Sequence, residues 1–293
     1  MKLEFTALHP TFAAESSPVL LRDLHDDAAL QTIREGMERY GVLVFRDQEF
    51  DDGEQIEFAK RLDSHIHART GNRVLGPSRF GDEALTDVSN VAADGAIMRA
   101  ADRKRLHGLG NRLWHTDASF ESPRGRYSML MAYVLPEDSP PTEFADSRTA
   151  YDALPEEKRE ALHGLEVYHS IAHSRRTLGF EFSEEEAAML PGATHPLVLQ
   201  FPRTGRRSLY LASHASHIVG WTLPESRLQI MDLMEHITAR ANVYSHDWRA
   251  RDLVIWDNRA SMHRARPFDD IRGRRELRRV TTLDIDNPAE AAA

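Results

Sequence analysis

Leu113-Trp114-His115-Thr116-Asp117-Ala118-Ser119-Phe120 sets an imidazole and a carboxylate on alternate residues. Along extended backbone, residues i and i+2 point to the same face. His115 and Asp117 can therefore reach one metal ion from a single strand end while Thr116 points away. The third ligand must come from another part of the chain, and His263, just after Trp256-Asp257-Asn258-Arg259, is the candidate. Two imidazoles and one carboxylate are the ligand set of the facial triad, which holds Fe(II) and leaves coordination positions open. Zinc is the competing metal. A lone His-x-Asp proves little in a chain with 15 His and 46 Asp plus Glu, because exposed polar residues are the ordinary case.

The segment downstream of His263 sharpens the reading. Arg274-Arg275-Glu276-Leu277-Arg278-Arg279 runs into the strand-like Val280-Thr281-Thr282-Leu283. Even spacing puts Arg275 and Arg279 on one side of a strand and the structural pair Arg274 and Arg278 on the other. Guanidinium groups pair with carboxylates in a planar, bidentate way, so an inward arginine pair beside iron suits acidic cosubstrates. A metal-only module has no need of it.

Composition bounds the rest. The chain has 293 residues, enough for one large domain, and we read residues 1–293 as a single unit. Hydrophobic residues at 41% and charged residues at 28% describe a soluble globular protein. No apolar run approaches the roughly 18 residues of a membrane span, and the first residues lack a secretory signal. Zero Cys excludes disulfides and thiolate ligands and suits a reducing, cytoplasmic setting. A net charge of −9 argues against nucleic-acid binding. The expected partner is a small acid, with no nucleic acid and no membrane, and a homo-oligomer is the expected assembly. The basic run 272–279 is read as part of the site.

Asp26-Asp27 and Gly41 bracket an amphipathic helix over residues 27–40, followed by a buried strand over 41–45. Asp51-Asp52 opens a second helix. Residues 64–112 read as long loops with short strands, of the kind that carry specificity. A strand is expected over 127–135, a helix over 154–165 and a hairpin joining 197–201 to 208–212. The clearest helix spans 224–241, with Leu228, Ile230, Met231, Met234 and Ile237 on or near one face. Late strands cover 253–256 and 278–283, and Ala289 to Ala293 form a frayed tail. Gly108-Leu109-Gly110 lacks the third Gly and the strand–helix setting of a dinucleotide loop.

Trp-His-x-Asp and Trp-Asp-Asn-Arg…His resemble the signature of the TauD/TfdA family of Fe(II)- and 2-oxoglutarate-dependent dioxygenases. His214-Ala215-Ser216-His217, Asp87-Val88-Ser89-Asn90-Val91 and the arginine block resemble its 2,4-dichlorophenoxyacetate (2,4-D) branch. The resemblance implies a mainly β, α+β fold: a double-stranded β-helix (jelly roll) core with flanking helices. It also implies Fe(II), 2-oxoglutarate and O2 as cofactor and cosubstrates, with His115, Asp117 and His263 as ligands. Arg275 matches the clamp on the distal carboxylate of 2-oxoglutarate, and Thr142 the hydroxyl that shares it. Arg279 matches the arginine near the primary substrate's acid group, and Asn111 a position close to substrate. Read without the family, Thr142 is a plain strand residue, Asn111 a turn residue after Gly110, and Arg279 half of a surface ion pair. His214 and His217 read as pocket-lining or supporting residues. His65 and His67 are either substrate contacts or solvated. Ser139-Pro140-Pro141 stands where many members carry Gly-Gly, and one extra residue within 269–273 leaves open which arginine takes which role. The implied reaction hydroxylates the carbon beside the ether oxygen of an aryloxyalkanoate such as 2,4-D, giving a phenol and glyoxylate with succinate and CO2. The rival substrates are taurine or an alkyl sulfonate or sulfate. A non-catalytic metal-binding jelly roll is the rival from another class.

Overall fold

A computed structural model describes residues 3–67, 72–76 and 79–285. Ala289 to Ala293 lie outside the described residues. Strands β1 (Phe5–Ala7) and β2 (Ala14–Ser16) precede helix α1 (Asp27–Tyr40). Asp26 caps α1 by accepting the Ala29 N–H at 3.1 Å, and Gly41 ends it at φ 72°, where a Cβ would be strained. The buried strand β3 (Val42–Phe45) follows. Asp51 and Glu54 then cap α2 (Asp52–Asp63) reciprocally.

Region 64–112 holds α3 (Asn72–Leu75), β4 (Thr86–Ser89), α4 (Arg103–Gly108) and a 3-10 turn at Leu109–Arg112. Next come β5 (Gly125–Val134), β6 (Thr142–Asp146), α5 (Ser147–Asp152), α6 (Glu156–Leu162), β7 (Glu166–His169) and α7 (Ile171–Arg176). They are followed by α8 (Glu184–Ala188), β8 (Ala193–Pro196), β9 (Val198–Gln200), β10 (Arg207–Leu209) and β11 (Ala215–Ile218). The chain continues through α9 (Leu223–Ile237), β12 (Val243–His246), β13 (Leu253–Asp257), β14 (Ser261–Ala265) and β15 (Glu276–Leu283).

The strands order as β1-β2-β3-β13-β5-β15-β4 in a seven-stranded sheet, with β12-β6-β14 and β11-β7-β8 as three-stranded sheets and β10-β9 as the expected hairpin. Alternation along the large sheet divides its two faces. Leu43, Phe45, Met129, Met131, Leu253 and Ile255 pack with Ile33 and Met37 of α1 and Phe58 and Leu62 of α2. The alternate residues Val42, Val44, Leu130, Ala132, Val254 and Trp256 pack with Phe144 of β6 and Trp248. That second face meets the sheet carrying β14, and the candidate site lies there.

Three expectations need correction. Region 64–112, read as loops with short strands, also carries the short helices α3 and α4. Helix α9 ends at Ile237, and it buries Ile230, Leu233 and Ile237 while Leu228 and Met231 are 64% and 65% exposed. At about 100° per residue, positions three and four apart share a stripe, and Leu228 and Met231 fall off it. Helix α6 begins only after Pro155 and stops at Leu162, shorter than the 154–165 reading, because Pro155 and His163 both adopt extended backbone angles. Among the described residues, no helix is long and apolar enough to cross a membrane.

Candidate active site

His263 lies in β14, which pairs with β6. His115 meets it through an isolated antiparallel bridge, with N–H···O=C bonds of 3.0 and 2.8 Å in the two directions. The segment expected as a strand end is thus a single bridge residue followed by a turn, in which Ala118 takes φ 54°. The turn still brings Asp117 back to the same point. Asp117 Oδ1 lies 3.8 Å from His115 Nε2, and its Oδ2 lies 3.7 Å from His263 Nε2. One ligand atom from each of the three buried residues falls within 4.8 Å of the others. Thr116 is buried on another side, against Tyr210.

The Trp256-Asp257-Asn258-Arg259 block explains how Asp117 is held. Fully buried Asn258 accepts from the Asp117 N–H at 2.9 Å and from Trp256 Nε1 at 3.0 Å. Its amide donates to the Arg126 carbonyl and, at 3.0 Å, to Ser128 Oγ. Ser128 donates in turn to Asp117 Oδ2 at 2.7 Å. Asp257 and Arg259 form a buried ion pair at 2.8 Å that steadies the same turn. Sequence reasoning placed Asn258 in a motif but gave neither it nor Ser128 a role.

A cavity of about 230 Å³ opens beside His115 and Asp117, with His263 behind them and not among its lining residues. Arg275, Arg279, Asn111, His67 and His214 line it, and so does Arg175, which the sequence reading passed over. Arg279 projects from β15 and donates to Asp117 Oδ1 at 2.5 Å. Arg275 just precedes β15, its N–H held by Asn90 Oδ1 at 2.8 Å. Its guanidinium is buried near Phe268, and Nε and Nη2 have no hydrogen-bond partner. Thr142 opens β6, accepts from Trp248 Nε1 at 2.9 Å and is not among the cavity-lining residues. Arg278 pairs with Asp52 between the rings of Phe80 and Tyr133, and Arg274 pairs with Glu276, so both face away as expected. His214 accepts from or donates to Ser119 Oγ at 2.9 Å, whereas His217 packs on Tyr168, outside the cavity. Ser139 closes a turn onto Pro136, which lets Pro140-Pro141 lead into β6. Residues 269–273 form a turn in which Arg272 and Gly273 both donate to the Asp269 carbonyl.

The chain matches the model of the family described as "Taurine catabolism dioxygenase TauD, TfdA family" over residues 4–281. It belongs to that family. It is 40% identical over 284 residues to the alpha-ketoglutarate-dependent 2,4-dichlorophenoxyacetate dioxygenase of Burkholderia sp. (strain RASC), covering 97% of this chain and 95% of that one. It is 32% identical to the (S)-phenoxypropionate/alpha-ketoglutarate-dioxygenase of Sphingobium herbicidovorans, covering 91% of this chain and 90% of that one. The crystal structure of AAD-2 in complex with Mn(II) and N-oxalylglycine superposes with a TM-score of 0.87 at 37% identity, over 97% of both chains. This member of the TauD/TfdA family is therefore an Fe(II)- and 2-oxoglutarate-dependent dioxygenase that uses O2.

The residues of this family member fit the metal. His115 Nδ1 donates to the Leu113 carbonyl at 2.8 Å, which leaves the Nε2 lone pair free for a cation. Burial lowers the pKa of both imidazoles, His263 most of all, so they stand in the neutral, ligating form. Burial acts the other way on Asp117, but the Arg279 guanidinium, helped by the Ser128 hydroxyl, outweighs it and keeps the carboxyl ionised. The cluster is thus held in the protonation states that coordination requires.

Proposed function

We propose that this dioxygenase hydroxylates an aryloxyalkanoate such as 2,4-D at the carbon beside the ether oxygen, so that the product falls apart to a phenol and glyoxylate. The observation that carries this reading is one cavity in which His115 and Asp117 of the three-residue cluster face inward guanidiniums and an apolar wall that includes Met98, Phe120 and Ile171. A charged anchor opposite an apolar wall suits an aromatic acid. Its relatives are named for 2,4-D and phenoxypropionate.

In this reading His115, Asp117 and His263 hold Fe(II), which with 2-oxoglutarate and O2 supplies the oxidising power and yields succinate and CO2. Arg275 clamps the distal carboxylate of 2-oxoglutarate through its two unpartnered nitrogens, and Thr142 shares that carboxylate. Arg279 orients Asp117 and borders the substrate, and Asn111 borders it from the 3-10 turn. The protein's task is to aim one C–H bond, since the hard chemistry belongs to the metal centre. We read the large sheet and the β12-β6-β14 sheet as the two halves of a double-stranded β-helix. Residues 1–293 form one catalytic unit in this reading, acting in the cytoplasm as a homo-oligomer without nucleic-acid or membrane partners.

A panel of acids scored by succinate release tests the reading. Turnover should be fastest with 2,4-D or a relative. Faster turnover of taurine or an alkyl sulfate would overturn the substrate assignment. Anaerobic Fe(II) titration with 2-oxoglutarate should develop a charge-transfer band, and its absence would favour a non-catalytic metal protein.

A further inference from the structure

The site holds one more buried guanidinium, to which the proposed reaction gives no task. Helix α7 delivers Arg175 to the cavity wall, where the residue is 5% exposed. Its one hydrogen bond goes from Nη1 to Ser174 Oγ at 3.2 Å, and Nε has no partner. No carboxylate pairs with it among the described residues, and burial, the one cause acting on it, pushes its pKa down to about 10. The guanidinium fills the space a side chain at Gly110 would need: a Cβ there would stand 2.2 Å from Arg175 Cζ. The chain therefore keeps a slot open for this cation beside Asn111 and His214.

Burying a charge without a counter-charge is costly, so such a group is retained where a ligand brings the anion. The six cavity-lining arginines divide accordingly: Arg105 and Arg112 pair with Asp270, and Arg266 lies 3.9 Å from Glu143. Arg279 is already matched by Asp117. Arg275 and Arg175 have no carboxylate partner, and two anionic ligands must enter: the distal carboxylate of 2-oxoglutarate and the acid of the primary substrate. Arg275 and Arg175 reach the cavity from different elements, the approach to β15 and helix α7.

We propose that Arg175 binds the carboxylate of the primary substrate and makes the enzyme select anionic over neutral aryl ethers. This rests on the aryloxyalkanoate reading of the same site. The pair would be charge-assisted and geometrically specific, because the planar fork matches a carboxylate in a way an ammonium does not.

The test compares the full-length wild type with Arg175→Gln and Arg175→Lys, using 2,4-D and its neutral carboxamide as ligands. Succinate release gives separate KM values for the aryloxy acid and the cosubstrate, and the carboxamide is measured as a competitor. Arg175→Gln should raise the KM for the acid by roughly thirtyfold or more, the lower end of losing a buried charge pair. The cosubstrate KM should move by less than about threefold, and carboxamide affinity should hold. A rise confined to the cosubstrate, an equal loss for acid and carboxamide, or an unchanged KM for the acid in a folded variant would overturn the proposal. Should the glutamine variant not fold, Arg175→Lys carries the same comparison: an acid-specific loss supports the role and equal losses refute it. If the wild type prefers another acid, the aryloxy reading fails by itself, and the comparison runs with that acid and its neutral amide.

Discussion

Ser128→Ala isolates how the protein holds its metal-binding carboxylate. Ser128 is fully buried and donates to Asp117 Oδ2 at 2.7 Å while receiving Asn258 Nδ2 at 3.0 Å and lying 3.1 Å from Thr281 Oγ1. Removing the hydroxyl leaves no large void. It does free Asp117 to rotate, with only Arg279 and its backbone bond to Asn258 to hold it. Loss of one buried hydrogen bond costs about 1 kcal/mol of stability, a fall in Tm of about 2–4 °C for a chain of this class. Loss of a partner that orients a ligand typically costs about 10–100-fold in metal affinity or activity. The two effects separate against a control, Ser208→Ala. Ser208 is equally buried, and its hydroxyl donates at 2.7 Å to the Arg259 carbonyl instead of to a ligand. Anaerobic Fe(II) titration and thermal melts of the metal-free protein provide the readouts. Both variants should melt a few degrees early, and only Ser128→Ala should bind Fe(II) about tenfold or more weakly. Equal metal affinity in the two variants would refute the idea that this hydroxyl tunes the site.

Three further expectations come from the same geometry. His115→Ala, Asp117→Ala and His263→Ala should each abolish Fe(II) binding and succinate release with near wild-type circular dichroism; turnover in any of them would remove that residue from the site. Arg275→Ala should raise the cosubstrate KM by an amount corresponding to about 2–5 kcal/mol, the cost of leaving a buried charge unpaired; a rise in the KM for the aryloxy acid alone would reverse the roles of the arginines. Burial lowers His195 to about 4, with Arg124 adding to the effect, so the unfolded chain takes up a proton that the folded chain refuses between about pH 6.5 and 4. Its stabilising contribution is present above pH 6.5 and is lost as pH falls through that window, by up to about 3 kcal/mol. His195→Gln, which keeps a donor for the Glu121 carbonyl, should flatten the decline seen by urea denaturation at pH 7.5, 6 and 5, and an unchanged slope would exclude His195 as its source.

Local spacing made much of this protein legible. Asp26 and Gly41 bound α1, and Asp51 opens α2, because caps answer to the donors and acceptors of a single turn. The i, i+2 relation of His115 and Asp117 and the even spacing of Arg275 and Arg279 marked which side chains could share one cavity. The opposite parity of Arg278 sent it to Asp52. The family motifs named the chemistry because they record which distant residues must meet.

Tertiary structure alone decided the rest. Nothing near His115 in sequence shows that its backbone bonds to His263, or that Ser128 and Asn258 converge on Asp117 from β5 and the turn after β13. Nor does periodicity reveal that Arg279 spends its charge on Asp117 across 162 positions. On α9, hydrophobicity could not tell the stripe that meets the core from Leu228 and Met231, which stay largely exposed among the described residues. Arg175 reads as an ordinary cation on a short basic helix until packing buries it and denies it a carboxylate. Each of these depends on the register between strands far apart in the chain, and local pattern carries the periodicity of an element but not the partner it will face.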